Sequence, residues 1–210
     1  MKKLIALSLV LVLAVMAIAC EPKTNEPTAT QEPSATEEVT QTAEPATTTE
    51  PAAATNGATE LLVNIWAAFD ESQKFAVAGG DAENAVMDAP GAFSTADAEA
   101  LDATLAVPAD AAAYIDEAAS LMHMMNANTF TAGAFHVKDA ANQAAFVEAL
   151  KTNVLNRQWM CGFPDTLVIY TIGEYVVSAF GEATNIENLK ANIVTAYADA
   201  ALAAEENLAA

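Results

Sequence analysis

Apolar and polar positions divide the chain into three parts with different patterns. Residues 4–19 form an uninterrupted run without charge, and residues 21–57 contain almost no large apolar side chains. Beyond them, apolar positions recur with the periods of helices and strands. The pattern predicts a signal peptide over residues 1–19, a disordered tether over residues 20–57 and a single folded domain over residues 58–210.

Four stretches of the predicted domain have apolar residues at the three- and four-residue spacing of helices. The first begins near Thr59, the second runs from near Ser94 to about Leu105, and two longer ones cover residues 139–157 and 185–198. Each begins at a residue that can cap a helix N-terminus. The last helix is expected to continue into the Ala- and Glu-rich tail or to fray there.

Two β-hairpins are predicted from apolar runs that flank turn residues. The first joins residues 118–126 to 129–138 across Asn-Ala-Asn, and the second joins residues 166–172 to 175–180 across Gly-Glu. Residues 70–93, rich in Gly, Asp and Ala, are expected to form turns. The order ββαββα, after a helical N-terminal segment, predicts an α+β fold with a four-stranded antiparallel sheet and helices packed on one face.

A cysteine stands where the predicted signal peptide would be cleaved. Lys2 and Lys3 supply the positive start, and the apolar run that follows is too short to cross about 30 Å of hydrocarbon comfortably. Ala17-Ile18-Ala19-Cys20 then resembles the lipobox of bacterial lipoproteins. The resemblance implies that Cys20 is lipidated and anchors the chain to the outer face of the cell membrane. Cleavage after Ala19 followed by plain secretion is the alternative.

The tether that follows has the composition of a flexible spacer. Residues 21–57 contain five Pro, ten Thr and seven Glu, with Val39 as the single large aliphatic residue. Such a segment buries too little apolar area to offset the entropy of ordering it. We therefore expect it to hold the domain away from the membrane surface.

The net charge of the chain indicates which classes of partner it can bind. There are 28 acidic and 8 basic residues, a formal net charge of −20, and the predicted domain has 21 acidic and five basic residues. This excess argues against a nucleic-acid binder and a polybasic membrane-surface protein, because both rely on lysine and arginine. It favours basic partners over anionic polymers.

Three segments of the domain carry a resemblance to a known group of proteins. They are Leu121-Met122-His123-Met124-Met125-Asn126-Ala127-Asn128, Phe135-His136-Val137-Lys138-Asp139 and Gly173-Glu174-Tyr175-Val176-Val177. Over residues 58–197 the chain resembles an uncharacterised family of clostridial-type surface lipoproteins. The folded module of that family is a domain of unknown function. The resemblance implies a surface lipoprotein with an α+β fold and transfers no catalytic residue. Relatives are sometimes labelled bacteriocin transport accessory protein, a label that elsewhere belongs to thioredoxin-like proteins with a C-x-x-C motif, which this sequence lacks.

The sequence contains none of the common catalytic motifs. The patterns G-x-S-x-G, G-x-x-x-x-G-K-[ST], H-E-x-x-H and G-x-G-x-x-G are all absent. Carboxylates are so abundant that a nearby pair of them carries little information about acid–base catalysis. We therefore predict no catalytic residue, no cofactor and no metal.

The two histidines, His123 and His136, are the candidate metal ligands. With the pairing that a short turn gives, they lie on the same face of the first predicted hairpin. His123 is flanked by Met122, Met124 and Met125, and thioether and imidazole together suit Cu(I). The methionines alternate between sheet faces, so they cannot all reach one ion. Core packing is the favoured interpretation, with a metal-dependent protein centred on His123 as an alternative.

The segment that follows the 139–157 helix contains the second cysteine among aromatic residues. With Cys20 lipidated, Cys161 has no partner in the chain. The favoured interpretation is a small buried residue, and a reactive thiol or an intermolecular disulfide is the alternative. Trp159 and Phe163 flank it and predict a recognition loop that contacts a protein partner.

Together, these patterns predict a lipid-anchored extracytoplasmic protein without catalytic activity. Its expected role is binding or accessory, with a protein or peptide partner in the cell envelope and no contact with nucleic acid. A thiol- or metal-dependent protein and an enzyme of unrecognised type are the alternatives.

Overall fold

The computed structural model describes residues 57–160 and 162–209. The signal peptide predicted over residues 1–19, the lipidation predicted at Cys20 and the predicted tether up to residue 56 lie outside the described residues, and so does Cys161. Within the two described ranges, no helix is long and apolar enough to cross a membrane.

The described residues contain four α-helices and eight β-strands. The helices are α1 (Ala58–Ala67), α2 (Ala98–Leu105), α3 (Gln143–Asn156) and α4 (Ala183–Ala196). The strands are β1 (Val77–Gly79), β2 (Val86–Met87), β3 (Gly91–Phe93), β4 (Ile115–His123), β5 (Phe130–Val137), β6 (Thr166–Ile172), β7 (Tyr175–Gly181) and β8 (Ala201–Asn207). The α+β class is therefore confirmed.

Side chains accept the first backbone N–H groups of α1, α2 and α4, whereas no side chain caps α3. The predicted cap Thr59 is wrong, because it lies inside α1, which begins at Ala58. Asp97, three residues after the predicted start near Ser94, caps α2, because its carboxylate accepts hydrogen bonds from two backbone amides of the first turn. Asp139 instead caps a short 3₁₀ turn, so α3 begins later than predicted, at Gln143. The last helix begins earlier than predicted, at Ala183, where Asp165 Oδ2 accepts the backbone N–H at 3.1 Å.

One antiparallel sheet contains all eight strands. Seven follow the order β2-β1-β4-β5-β7-β6-β8, and β3 pairs with β4 beside β1. The two predicted hairpins, β4–β5 and β6–β7, are confirmed and lie at its centre. The β6–β7 turn uses Gly173 at φ +56°, a left-handed conformation that glycine adopts at little cost.

The predicted four-stranded sheet is wrong, because four further strands extend it. Strands β1 to β3 occupy the region where turns were expected, and each is only two or three residues long, too short to show a period of two. The tail forms β8 rather than a helical end. Its Ala- and Glu-rich sequence lacks a strand pattern, and backbone pairing with β6 holds it in the sheet.

The helices pack on both faces of the sheet, so their predicted placement on one face is wrong. Helices α1 and α4 cover one apolar cluster, and α2 and α3 cover a second. The central strands supply both clusters by alternation: in β5, Ala132 and Ala134 belong to the first, and Phe135 and Val137 to the second. Because both faces are buried, the strands are continuous apolar runs that do not indicate one preferred face.

Candidate functional site

Three large apolar side chains project into solvent at one end of the sheet. Met125 is 82% exposed, Met160 is 79% exposed and Phe163 is 72% exposed. Met125 belongs to the β4–β5 connection, and the other two belong to the connection between α3 and β6. We call these three residues the apolar end. Clustered exposure of this kind is typical of a surface that contacts another molecule.

Asn128 joins the two loops that form the apolar end. Its side-chain Nδ2 donates hydrogen bonds to the carbonyl oxygens of Met160, at 2.8 Å, and of Gly162, at 3.0 Å. Its own backbone N–H donates to Asn126 Oδ1 at 3.0 Å, which fixes the turn. Gly162 has φ +122°, a backbone conformation that favours glycine. The apolar end is therefore held by specific contacts between segments more than 30 residues apart.

Trp159 forms the base of this loop and is half-buried. Its ring packs against Phe180 with centroids 5.0 Å apart, and the Arg157 guanidinium lies 5.4 Å from the Trp159 ring centroid. Arg157 also donates to the backbone carbonyls of Asp102 and Ala103 at the end of α2. Of the two aromatic residues predicted to contact a partner, Phe163 projects outward and Trp159 supports the loop.

A groove leads from the loop along α2. Its wider part has a volume of about 460 Å³, with Met122, Thr131 and Phe180 among the residues on the sheet side and Trp159 and Met160 on the loop side. Except for Thr131, these residues are methionines, whose flexible side chains adjust to a ligand, or aromatic residues, which bury a large apolar area. The groove therefore offers apolar area next to the exposed Met160.

Neighbouring cavities share lining residues from this point to the acidic residues at the start of α2, and we call the three cavities together the groove. Two further cavities, of about 280 and 270 Å³, share lining residues with each other, and the first shares Thr104 and Met122 with the wider part. The farther one is lined by Asp81, Glu83 and Asp97. One end of the groove is thus apolar and the other is acidic.

Asp81 organises the loop at the acidic end. Its Oδ1 accepts the backbone N–H groups of Glu83 and Asn84, and its Oδ2 accepts that of Ser94 at 2.9 Å. The hydrogen bond from Ser94 is the main cause that lowers the pKa of Asp81, so this carboxylate stays charged at neutral pH. Asp81 therefore holds the loop through backbone hydrogen bonds and also contributes a negative charge to the groove.

His123 closes the β4–β5 turn. Its Nδ1 accepts hydrogen bonds from the backbone N–H groups of Met125, at 3.2 Å, and Asn126, at 3.3 Å. Its ring stacks on Phe75 with centroids 5.3 Å apart. Because Nδ1 already accepts these hydrogen bonds, its lone pair is occupied within the turn and does not face a metal site. Across residues 57–160 and 162–209, no three His, Cys, Asp or Glu side chains are grouped to hold a metal ion.

His136 lies on the same sheet face as His123, as the predicted pairing requires, but at the other end of the hairpin. Glu117 pairs with His136, whereas Met122, which precedes His123, pairs with Thr131. The separation along the strands is about 20 Å at roughly 3.3 Å per residue. The two histidines therefore do not form a common site.

His136 instead forms a polar cluster near the first described residue. Its Nδ1 lies 2.5 Å from Asp116 Oδ1, and its Nε2 lies 3.9 Å from Glu174 Oε2. The hydrogen bond with Asp116 is the main cause that raises the pKa of His136. Next to it, Glu117 Oε2 accepts the backbone N–H of Ala58 at 3.1 Å.

Of the residues that form or hold the apolar end, the sequence identified Phe163 as a contact residue but gave no such role to Met125 or Asn128. Asn128 was predicted only as part of a turn, and Met125 only as part of a methionine run. Their role depends on a contact with a loop about 32 residues away, which no local pattern encodes. The one available signal was the pair of asparagines, since Asn side chains commonly bond to nearby backbone groups.

Comparison of the chain with protein-family models, with curated proteins and with solved structures gave no match.

Proposed function

We propose that this protein is a lipid-anchored extracytoplasmic binding module without catalytic activity, which contacts a protein or peptide in the cell envelope through its apolar end. The observation that carries the proposal is the exposure of Met125, Met160 and Phe163 on two loops that Asn128 holds together. Leaving such large apolar side chains in water is unfavourable by about 25 cal/mol per Å², which a partner would recover. A surface fixed by hydrogen bonds also loses little entropy on binding.

The position of the apolar end relative to the N-terminal side of the domain supports presentation to a partner. Gly57 lies beside Glu117, near the end of the sheet where His136 is found. The apolar end lies at the opposite end, about 25 Å away along the eight residues of β5. A domain tethered through residue 57 would therefore direct Phe163 away from its anchor.

The membrane anchor is proposed from the sequence. The charge-free run, the lipobox-like Ala17-Ile18-Ala19-Cys20 and the polar segment after it are the supporting features. The resemblance to clostridial-type surface lipoproteins agrees with them. Replacement Cys20→Ser tests the anchor: we expect the altered chain to lose processing at residue 20 and its labelling by a fatty-acid probe. Unchanged labelling and processing would contradict a lipid on Cys20.

The binding role is tested by site-specific photo-crosslinking in intact cells. A photoreactive phenylalanine analogue replaces Phe163, and the control replaces Val194, which is 49% exposed on α4. We expect a discrete crosslinked species from position 163 and none of the same size from position 194. No discrete product from position 163, or the same product from both positions, would contradict a partner at the apolar end.

A further inference from the structure

The groove along α2 has an apolar part near Met122 and Trp159 and an acidic part near Glu83 and Asp97, at a fixed separation. The N-cap residue Asp97 and the α2 residues Ala100 and Thr104 line it, at the i, i+3 and i+7 positions. The seven residue steps from Asp97 to Thr104 correspond to about 10 Å of helix. A ligand that fills the groove must therefore carry an apolar group and a basic group about 10 Å apart.

We infer that this groove binds a basic amphipathic segment of a partner polypeptide, with an apolar side chain at the Met122–Trp159 end and a lysine or arginine at the Glu83–Asp97 end. The inference rests on the proposed binding function and specifies the partner chemistry. In an extended peptide, an apolar residue and a basic residue about four positions apart point to the same side and span about 13 Å. That reach is enough to span the roughly 10 Å between Thr104 and Asp97.

Charge complementarity selects this occupant. The residues of the predicted domain carry 21 acidic and five basic groups. At the acidic end of the groove, Glu83 is an exposed carboxylate, and Asp81 and Asp97 add negative charge while they accept backbone N–H groups. Arg157, the cation that lines the wider part, is committed to the carbonyls at the end of α2 and to the Trp159 ring. A basic segment therefore meets a negative surface without competing with that arginine.

The chain's own N-terminal segment does not fit as the occupant. Residues 21–56 contain seven glutamates and a single lysine, Lys23. An acidic segment would be repelled by Asp81, Glu83 and Asp97. This segment also joins the domain at Gly57, which lies beside Glu117, at the end of β4 away from Met122.

The experiment titrates synthetic peptides into the purified full-length chain in non-ionic detergent. The probe is a short blocked peptide of Gly and Ser that carries Phe-Leu and, about four residues further on, Lys-Lys. The matched peptide carries Glu-Glu in place of Lys-Lys. The replacement Trp66→Phe removes the buried tryptophan, so fluorescence reports Trp159 alone. Calorimetric titration of the unaltered chain checks the affinity independently of that replacement.

We expect the lysine peptide to bind about tenfold more tightly than the glutamate peptide at low salt, and the difference to shrink as salt is raised. Glu83→Gln should weaken the lysine peptide about two- to fivefold. Glu99→Gln, an equal charge change on the outer side of the same helix, should leave its affinity unchanged. Met160→Ser should weaken both peptides about tenfold or more. Leu155→Ser, an exposed control on α3, should not.

Equal affinity for the two peptides, or equal effects of Glu83→Gln and Glu99→Gln, would overturn the assignment of a basic partner. Absence of binding by either peptide, together with a discrete crosslink from position 163 in cells, would overturn the groove as the contact and leave the binding function standing. Absence of both would overturn the two proposals together.

Discussion

The hydrogen bonds of Asn128 allow a quantitative test of how the apolar end is held. The replacement Asn128→Asp keeps the shape of the side chain and its backbone N–H bond to Asn126, but it removes the two N–H donors that reach Met160 and Gly162. Each lost hydrogen bond is worth about 0.5–1.5 kcal/mol, and carboxylate oxygens would now face carbonyl oxygens. The closed loop should lose about 1–3 kcal/mol, which is about a 5- to 150-fold increase in its open population.

Hydrogen–deuterium exchange measures this change directly. We expect faster exchange in the connection between α3 and β6, with exchange in β5 and β7 almost unchanged, because the loop opens without unfolding the sheet. Asn142→Asp is the control, since it makes the same charge change at a side chain that forms no capping hydrogen bond. Unchanged exchange in the loop of Asn128→Asp, or equal changes in both variants, would refute the assignment of Asn128 as the contact that joins the two loops.

Three further replacements test other parts of the fold. The hydrogen bond with Asp116 raises the pKa of His136, so their pairing contributes fully to folding stability below about pH 6.5, and the contribution is lost as pH rises through the folded pKa. Asp116→Asn should therefore lower the free energy of unfolding in urea by about 1 kcal/mol near pH 5.5 and by little at alkaline pH, and an equal cost at both would contradict the pairing. Lys190 Nζ lies 2.8 Å from Glu205 Oε1 in β8, so Lys190→Met should accelerate amide hydrogen exchange in β8 and leave exchange in β4 unchanged. Unaltered exchange in β8 would show that the ion pair does not hold the strand. Phe146 in α3 is fully buried against Phe135, so Phe146→Ala should destabilise the protein by about 3–5 kcal/mol in denaturant unfolding, and a cost below about 1 kcal/mol would contradict packing of α3 on the sheet.

The central hairpins and all four helices could be predicted because their signals are local. Strand β6 has the predicted bounds, since a β-branched run ends at a glycine that turns the chain. The helices follow from apolar spacing, but their starts do not follow from the predicted capping residues, since Thr59 lies inside α1 and Asp139 caps a 3₁₀ turn. The number of strands and the side on which each helix packs could not be predicted, because both depend on which distant segment pairs with a strand or covers its face.

The candidate site was predicted only in part, for the same reason. Phe163 was identified as an exposed aromatic residue from its place in a loop with glycine and proline. The half-buried state of Trp159 depends on Phe180, about twenty residues away in sequence, and on Arg157 reaching the end of α2. The acidic end of the groove depends on the packing of α2 beside β1 and β3, two strands too short to be recognised in the sequence.

The place of β8 beside β6 protects the chain against self-association. Five of the seven residues of β6 are buried, and a bare β6 edge would offer unpaired backbone and β-branched side chains to a second chain. The strand that covers it is largely alanine and glutamate, with adjacent carboxylates at Glu205 and Glu206 and an irregular register near Ala203. Both features disfavour addition of a further strand. Strand β8 thus replaces an aggregation-prone edge with a charged, irregular one, and removal of residues 201–207 would expose the edge of β6.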